Sequence, residues 1–222
     1  MAIAYFQPLD LGLILSYQCQ STCAHCVYNC SPQWKEWITK EDLKDMVQLI
    51  GSWKHPFKVH ITGGEPFLNF PFLLQAVELA ASLDIPRYVE TNAGWCTNQQ
   101  TVHERFATLK AAGLQSILIS CSPFHAASIP LERTLLAIST AIEVYGLRNV
   151  QVFQATWLDR IQFFDVKSAV PLETYLKTYG EAAAGRLFWE ESDLVSGGRA
   201  GYRLGHLTQR KPAEVFQWET CR

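Results

Sequence analysis

Strand and helix signals alternate along this chain of 222 residues, and this alternation constrains the fold more than any other feature. Short apolar runs indicate buried strands, and between them apolar side chains recur at helical spacing. The predicted strands cover residues 11–15, 57–61, 87–91, 116–120, 149–154 and 186–190. Strands separated by helices form parallel βα units with right-handed crossovers. Six units are too few for a closed eight-stranded barrel. We therefore predict an α/β fold: a partial (β/α)6 barrel with an open parallel sheet and outer helices.

The predicted helices carry recognisable start signals. Thr39 and Asp42 resemble a capping box, and Asn69 precedes a proline in the first turn of the next helix. Pro130 opens a later helix. Residues 196–201, by contrast, are rich in glycine, and we expect them to be flexible.

Charge and composition exclude several classes of protein. The formal net charge is −2 and no basic run exceeds two residues, which argues against a nucleic-acid groove and a polybasic membrane patch. The N-terminus lacks the charged region of a signal peptide, and no apolar run approaches the roughly 18–20 residues of a membrane span. Seven cysteines, clustered towards one end, do not resemble a disulfide framework. We expect a cytoplasmic protein that contacts neither nucleic acid nor membrane.

Three cysteines follow the first predicted strand directly. Cys19, Cys23 and Cys26 have the spacing C-x3-C-x2-C. Three thiolates on one loop suit a [4Fe–4S] cluster with one open iron better than a closed zinc site, which needs four protein ligands. The alternative is a structural zinc site with His25 or Cys30 as its fourth ligand.

Polar and glycine-rich segments also follow the next strands. Gly63, Gly64 and Glu65 come after the second strand, Asn92 after the third, and Ser120 ends the fourth. The carboxyl ends of parallel strands meet on one rim, where functional groups gather. Because glycine lacks a Cβ, the glycine pair suits a backbone that must approach a ligand closely. The zinc alternative leaves this glycine motif unexplained.

Together these residues resemble the radical S-adenosylmethionine (SAM) superfamily. The resemblance rests on the cysteine loop, with His25 at a usually aromatic position, and on the glycine motif at residues 62–66; it covers about residues 9–200. It implies an enzyme whose three cysteines hold a [4Fe–4S] cluster while SAM chelates the fourth iron. Reductive cleavage of SAM then gives a 5′-deoxyadenosyl radical that abstracts hydrogen from substrate.

The resemblance also implies roles for the residues on the rim. Cys19, Cys23 and Cys26 are the metal ligands and the catalytic residues. The implied SAM-binding or substrate-binding residues are Gly63, Gly64 and Glu65 at the methionyl ammonium, Ser120 and Ser122 at the ribose, and Asn92 and Gln154 as further contacts. The implied partners are a peptide or small-molecule substrate and a one-electron donor such as flavodoxin or ferredoxin.

The tail carries a second resemblance. Residues 197–200, followed by a lone Cys221, look like the lead-in to a SPASM-type domain, which carries auxiliary Fe–S clusters. We therefore predict a radical SAM core at residues 1–200 and the start of a truncated auxiliary-cluster region at 201–222. The further ligands are absent, so either the chain is a fragment or the extension has been lost. Arg199 is expected to do no more than form a salt bridge across the barrel edge.

Members with such an extension often modify peptides or proteins, so the predicted substrate is a peptide or protein side chain. The alternatives are the same chemistry on a small metabolite or nucleoside, and a non-catalytic module that binds zinc or an Fe–S cluster.

Several rim residues keep two interpretations. Cys96 and Cys121 favour simple burial over catalysis, because free cysteines are among the most buried residue types. His125 contacts either SAM or substrate, or lies in a solvated loop. Glu90 contacts SAM or substrate, or pairs with a basic neighbour such as Arg87.

Overall fold

The computed structural model describes residues 10–53, 57–155, 157–158, 168–183, 194–195 and 197–206. The strands in this part of the chain are β1 (Asp10–Ile14), β2 (Lys58–Thr62), β3 (Arg87–Thr91), β4 (Ser116–Ser120) and β5 (Val150–Phe153). They form one parallel sheet in the order β1-β2-β3-β4-β5. The predicted parallel α/β fold is confirmed. The predicted sixth strand, residues 186–190, lies outside the described residues.

Helices connect the strands. They are α1 (Lys40–Gly51), α2 (Phe70–Ser82), α3 (Gln99–Ala111), α4 (Pro123–Ala126), α5 (Leu131–Tyr145), α6 (Leu172–Tyr179) and α7 (Gly198–Arg203), with 3₁₀ turns at Pro66–Asn69 and Leu147–Asn149. The predicted start signals are confirmed: the Thr39 side chain accepts a hydrogen bond from the amide of Asp42 (3.0 Å), and that of Asn69 from the amide of Phe72 (3.3 Å). Within the described residues, no helix combines the length and apolar character needed to cross a bilayer.

The two faces of the sheet differ in chemistry. Alternate strand residues on the outer face are fully buried and pack with the helices in one apolar core; they include Val59, Ile61, Val89, Ile117 and Ile119. Burying one such side chain stabilises the fold by about 1.5–3 kcal/mol. The opposite, inner face carries the half-buried residues His60, Tyr88 and Glu90. The apolar outer face therefore holds the sheet together and leaves the inner face available for polar groups.

Two local expectations are wrong. Residues 121–125 form more than a polar turn, because the Ser122 side chain caps the short helix α4. The described part of residues 196–201 is not flexible coil either. It enters helix α7, whose residues Arg199 and Ala200 are buried. Since α7 crosses the predicted domain boundary at residue 200, and Leu204 is buried in the same apolar cluster as Ala200, this part of the tail packs with the core.

Candidate functional site

A cavity of about 200 Å³ lies between the cysteine loop and the carboxyl ends of the strands. The loop forms one wall, and the ends of β2, β3 and β4 form the others. Of the predicted site residues, the cavity brings together Cys19, Cys23, Cys26, Gly63, Gly64, Asn92 and Ser120. Glu65, Ser122 and Gln154 lie outside this lining.

The cysteine loop connects β1 to α1 with little regular structure, and local hydrogen bonds shape it. The amide of Cys19 donates to the carbonyl of Ser31 (3.1 Å), and that of Cys26 to the carbonyl of Cys23 (3.2 Å). All three thiols are free. In the described part of the chain, no three His, Cys, Asp or Glu side chains converge as ligands of a single ion. The thiolates of a cubane cluster bind different irons, so they surround a volume rather than a point.

The three thiols differ in acidity. Burial raises the pKa of Cys19 to about 12 and that of Cys23 to about 11. A hydrogen bond from the thiol of Cys30 lowers the pKa of Cys26 to about 6, against the opposing effect of burial. The Cys26 sulfur also accepts a hydrogen bond from the amide of Cys30 (3.3 Å). Cys26 is therefore a thiolate at neutral pH, whereas the other two must lose protons to bind metal.

The glycine turn after β2 packs directly on the chain that enters the cysteine loop. The amide of Gly64 donates to the carbonyl of Ser16, and the amide of Glu65 to that of Gln18, both at 2.8 Å. A Cβ at Gly64 would overlap the carbonyl oxygen of Gln18, and one at Gly63, whose φ is +146°, would overlap that of Ser16. The glycines are therefore required for this backbone contact, in addition to lining the cavity.

Glu65 lies behind the cavity wall and is almost completely buried. Its carboxylate accepts hydrogen bonds from the amide of Phe67 (3.1 Å), the hydroxyl of Thr91 (3.0 Å) and the amide of Asn92 (2.8 Å). Burial raises the pKa of Glu65 to about 7, although these donors favour its ionised form. Glu65 therefore ties the end of β3 to the glycine turn.

Asn92 links the end of β3 to the cysteine loop. Its side-chain amide donates to the sulfur of Cys19 (3.3 Å), and its side-chain oxygen accepts from the side-chain amide of Gln20 (2.7 Å). The same oxygen accepts from the amide of Gly94 (2.8 Å). Asn92 thus orients one predicted metal ligand while it lines the cavity.

Glu90 lines the cavity from the inner face of the sheet. One carboxylate oxygen contacts Nε2 of His60 (2.9 Å), and the other accepts a hydrogen bond from the hydroxyl of Ser120 (2.5 Å). Burial alone would raise the pKa of Glu90, but these two partners outweigh burial and hold it below its usual range. The alternative pairing with Arg87 is wrong, because the Arg87 guanidinium binds the carbonyl of Gly113 (2.9 and 2.7 Å).

Two histidines form the next part of the wall. The His25 ring stacks on Phe124 (4.7 Å between centroids, 20° between planes) and meets the edge of His125. The hydroxyl of Ser122 lies 2.7 Å from Nδ1 of His125, so Ser122 supports a lining residue from behind. Burial lowers the pKa of His125 to about 4, and that of His25 well below its usual value, so both rings are neutral at pH 7.

The remaining predicted residues lie near the rim but outside the lining. Gln154 is buried, and its side-chain oxygen has no hydrogen-bond partner in the described part of the chain. Cys96 and Cys121 are buried as the simpler interpretation predicts, and burial raises the pKa of both thiols.

Sequence reasoning missed four lining residues: Ser21, Val27, Tyr28 and Phe153. Position gives a usable signal for two of them, since Ser21 lies between the cysteines and Phe153 ends a strand. Tyr28 and Val27 carry no such signal, because their place depends on the path of the loop.

The comparisons with known proteins agree with this geometry. A family model described as the radical SAM superfamily matches residues 13–122. YydG of Bacillus subtilis (strain 168), a putative peptide biosynthesis protein, is 26% identical over 116 residues, which are 52% of this chain and 36% of YydG. This chain therefore spans little more than a third of the length of that curated relative.

Two solved structures are also similar. HydG, a maturase of the [FeFe]-hydrogenase, has a TM-score of 0.47 at 18% identity, covering 64% of this chain and 34% of HydG. BtrN in complex with AdoMet and 2-DOIA has a TM-score of 0.44 at 18% identity, covering 52% of this chain and 46% of BtrN. The family match contains the cysteine loop, the glycine turn, Glu90, Asn92 and Ser120. Through residues 13–122, the chain belongs to the radical SAM superfamily.

Proposed function

We propose that this chain is the core of a radical SAM enzyme that acts on a peptide or protein side chain. In this proposal Cys19, Cys23 and Cys26 hold a [4Fe–4S] cluster, and SAM occupies the adjoining cavity. One observation carries the proposal: three thiols and the polar ends of three successive strands surround a single cavity.

The residues present fit the cofactors that the family uses, a [4Fe–4S] cluster and SAM. Thiolates are the ligands that Fe–S clusters prefer, and three on one loop leave one iron open. The cavity beside them offers backbone at Gly63 and Gly64, where a Cβ has no room, and the buried Nδ1 of His25, which lacks a partner among the described residues. When bound, the two cofactors supply reductive cleavage of SAM to a 5′-deoxyadenosyl radical.

The chain's own groups then bind and orient. The carboxylate of Glu90 is ionised and offers a negative charge to an ammonium group, or an acceptor to hydroxyl groups. Ser120 is held by Glu90 and faces the same space. The neutral rings of His25 and His125 form a wall without adding positive charge. Burial of these groups keeps water from the place where a reactive radical would form.

Three predicted residues keep an indirect or open role in this proposal. Glu65 fixes Asn92, and Ser122 fixes His125, so both shape the cavity from behind its wall. The side-chain oxygen of Gln154, unpartnered among the described residues, is an acceptor for a ligand that reaches beyond the cavity.

Two observations support a peptide substrate. The name of YydG assigns that relative to peptide biosynthesis. The side chains of Tyr17, Tyr28 and Trp34 form a cluster with centroids 6.4–6.5 Å from Tyr17, and each is close to half exposed. Tyr28 also lines the cavity, so the cluster offers aromatic area beside the mouth. A one-electron donor such as flavodoxin or ferredoxin completes the proposed system.

Anaerobic reconstitution tests the reaction. The purified chain is supplied with iron, sulfide, SAM and dithionite, and 5′-deoxyadenosine is measured by chromatography with mass detection. We expect product from the wild type and from Cys121→Ala, a buried rim cysteine outside the lining, but none from Cys23→Ala. Equal, background product from all three would refute the enzymatic proposal. One zinc per chain without a brown chromophore would instead support a non-catalytic module.

A further inference from the structure

Arg199 binds the cysteine loop from the side opposite the cavity wall formed by the strands. Its Nη1 donates to the carbonyl of Cys23 (2.8 Å), its amide to the carbonyl of Cys26 (2.9 Å), and its Nη2 to the carbonyl of Cys30 (2.5 Å). One residue therefore holds the backbone at three of the four cysteines in this part of the chain. These bonds span about 170 residues of sequence.

The residues around Arg199 are shaped for this contact. Gly198 has a φ of +50°, and a Cβ there would overlap the carbonyl oxygen of Val27, which belongs to the cysteine loop. On the other side, Ala200 and Leu204 are buried in an apolar cluster against which Cys23 packs. The close approach and the apolar anchor together place helix α7 on the loop in a single position.

The charge of Arg199 has no carboxylate partner within 4 Å among the described residues. Burying a cation without an opposite charge is costly, even when carbonyl groups accept its hydrogen bonds. The other buried arginine, Arg87, lies near the charge of Asp84. Near Arg199, the groups able to carry negative charge are the thiols of the loop. Three thiolates give a bound cluster a net negative charge, and one-electron reduction makes it more negative.

From the three carbonyl contacts and the unpaired charge, we infer that Arg199 is a positioning residue for the proposed cluster. It fixes the backbone of the ligand loop and supplies the cation that balances the cluster's charge. The inference rests on the proposed function, because it requires a cluster at Cys19, Cys23 and Cys26. It also assigns helix α7 to the working core, whatever follows it in the chain.

The test compares Arg199→Gln, which keeps a donor but no charge, with Arg199→Lys, which keeps the charge but not the planar fork. Arg203→Gln is the matched control, since Arg203 lies on the same helix and is exposed. Each full-length variant is reconstituted anaerobically, and its midpoint potential and its rate of iron loss to a chelator are measured. We expect a lower potential in Arg199→Gln, a potential closer to wild type in Arg199→Lys, and iron loss about 10–100-fold faster in both.

Wild-type values of both quantities in Arg199→Gln would overturn the inference, as would equal shifts in Arg203→Gln. A second measurement needs no variant: amide hydrogen exchange in residues 197–204 of the wild type, with and without the cluster. We expect cluster loading to slow this exchange about tenfold or more, and unchanged exchange would also overturn the inference. If the wild type itself takes up no cluster, the proposed function fails, which is a different result.

Discussion

Replacing Gly64 with alanine should separate the two halves of the site. The added Cβ would overlap the carbonyl oxygen of Gln18 and lie 3.0 Å from the amide nitrogen of Cys19. Both atoms belong to the backbone, so neither can rotate away as the end of a side chain would. The strand end and the loop must move apart.

The contacts that are lost set the size of the effect. Moving the two segments apart breaks the bonds from Gly64 to Ser16 and from Glu65 to Gln18, each 2.8 Å long. A hydrogen bond contributes about 1 kcal/mol net, and a buried group left unpaired costs about 1–3 kcal/mol. Reduced freedom of the unfolded chain returns about 0.4–1 kcal/mol. We expect a net loss of about 2–3 kcal/mol in the free energy of unfolding.

Gly12→Ala is the matched control. A Cβ at Gly12 would meet only the Thr62 methyl carbon, at 3.9 Å, which is ordinary contact. Equilibrium unfolding of the cluster-free protein in urea, followed by tryptophan fluorescence and far-UV circular dichroism, measures both variants. Gly64→Ala should unfold at a clearly lower urea concentration and retain less iron after reconstitution. Equal unfolding midpoints for the two variants would refute the steric reasoning.

Three further predictions concern Glu90, His125 and Thr39. Glu90→Gln should leave iron content unchanged but weaken SAM binding or raise the substrate KM about tenfold, because a hydrogen bond to a charged group contributes about 1.5–3 kcal/mol; unchanged values for both would contradict a ligand contact. The pKa of His125 is about 4 in the folded state, against a model value of 6.5, so the unfolded state binds more protons between these values. Stability contributed by this histidine is thus complete above pH 6.5 and falls by about 3 kcal/mol as the pH drops to 4, and His125→Gln should flatten that part of a pH series of urea midpoints. Thr39→Ala removes the N-cap of α1 and should cost about 1 kcal/mol, whereas Thr39→Ser should not.

Local signals predicted much of the fold. The predicted bounds of β3 and β4 match the structure, because each strand is a short apolar run between turn residues. The caps at Thr39 and Asn69 were predictable for the same reason: a capping bond joins residues three apart. The rim location of the cysteines, Asn92 and Ser120 also followed, since parallel strands share one carboxyl edge.

The rest depends on partners distant in sequence. Glu65 looked like a ligand contact, but its carboxylate faces Thr91 and Asn92, which no local pattern pairs with it. The glycine-rich lead-in to α7 looked flexible because its partner, the carbonyl of Val27, lies far away in the sequence. Glycine permits both mobility and close contact, and composition alone does not distinguish the two.

The cysteine loop shows why such distant contacts matter for function. A loop with little regular structure leaves many of its carbonyl and amide groups without partners from its own backbone, so other segments must supply them. Here the glycine turn binds the segment that enters the loop, Asn92 contacts the first cysteine, and Arg199 binds the carbonyl groups of the later ones. The spacing of the thiols is encoded locally, but their position in space depends on residues up to 176 positions away. A ligand loop held from several sides is preorganised, which lowers the entropy lost when a cluster binds. The working unit of this site is therefore the whole sheet together with α7, and the three-cysteine motif is only its most visible part.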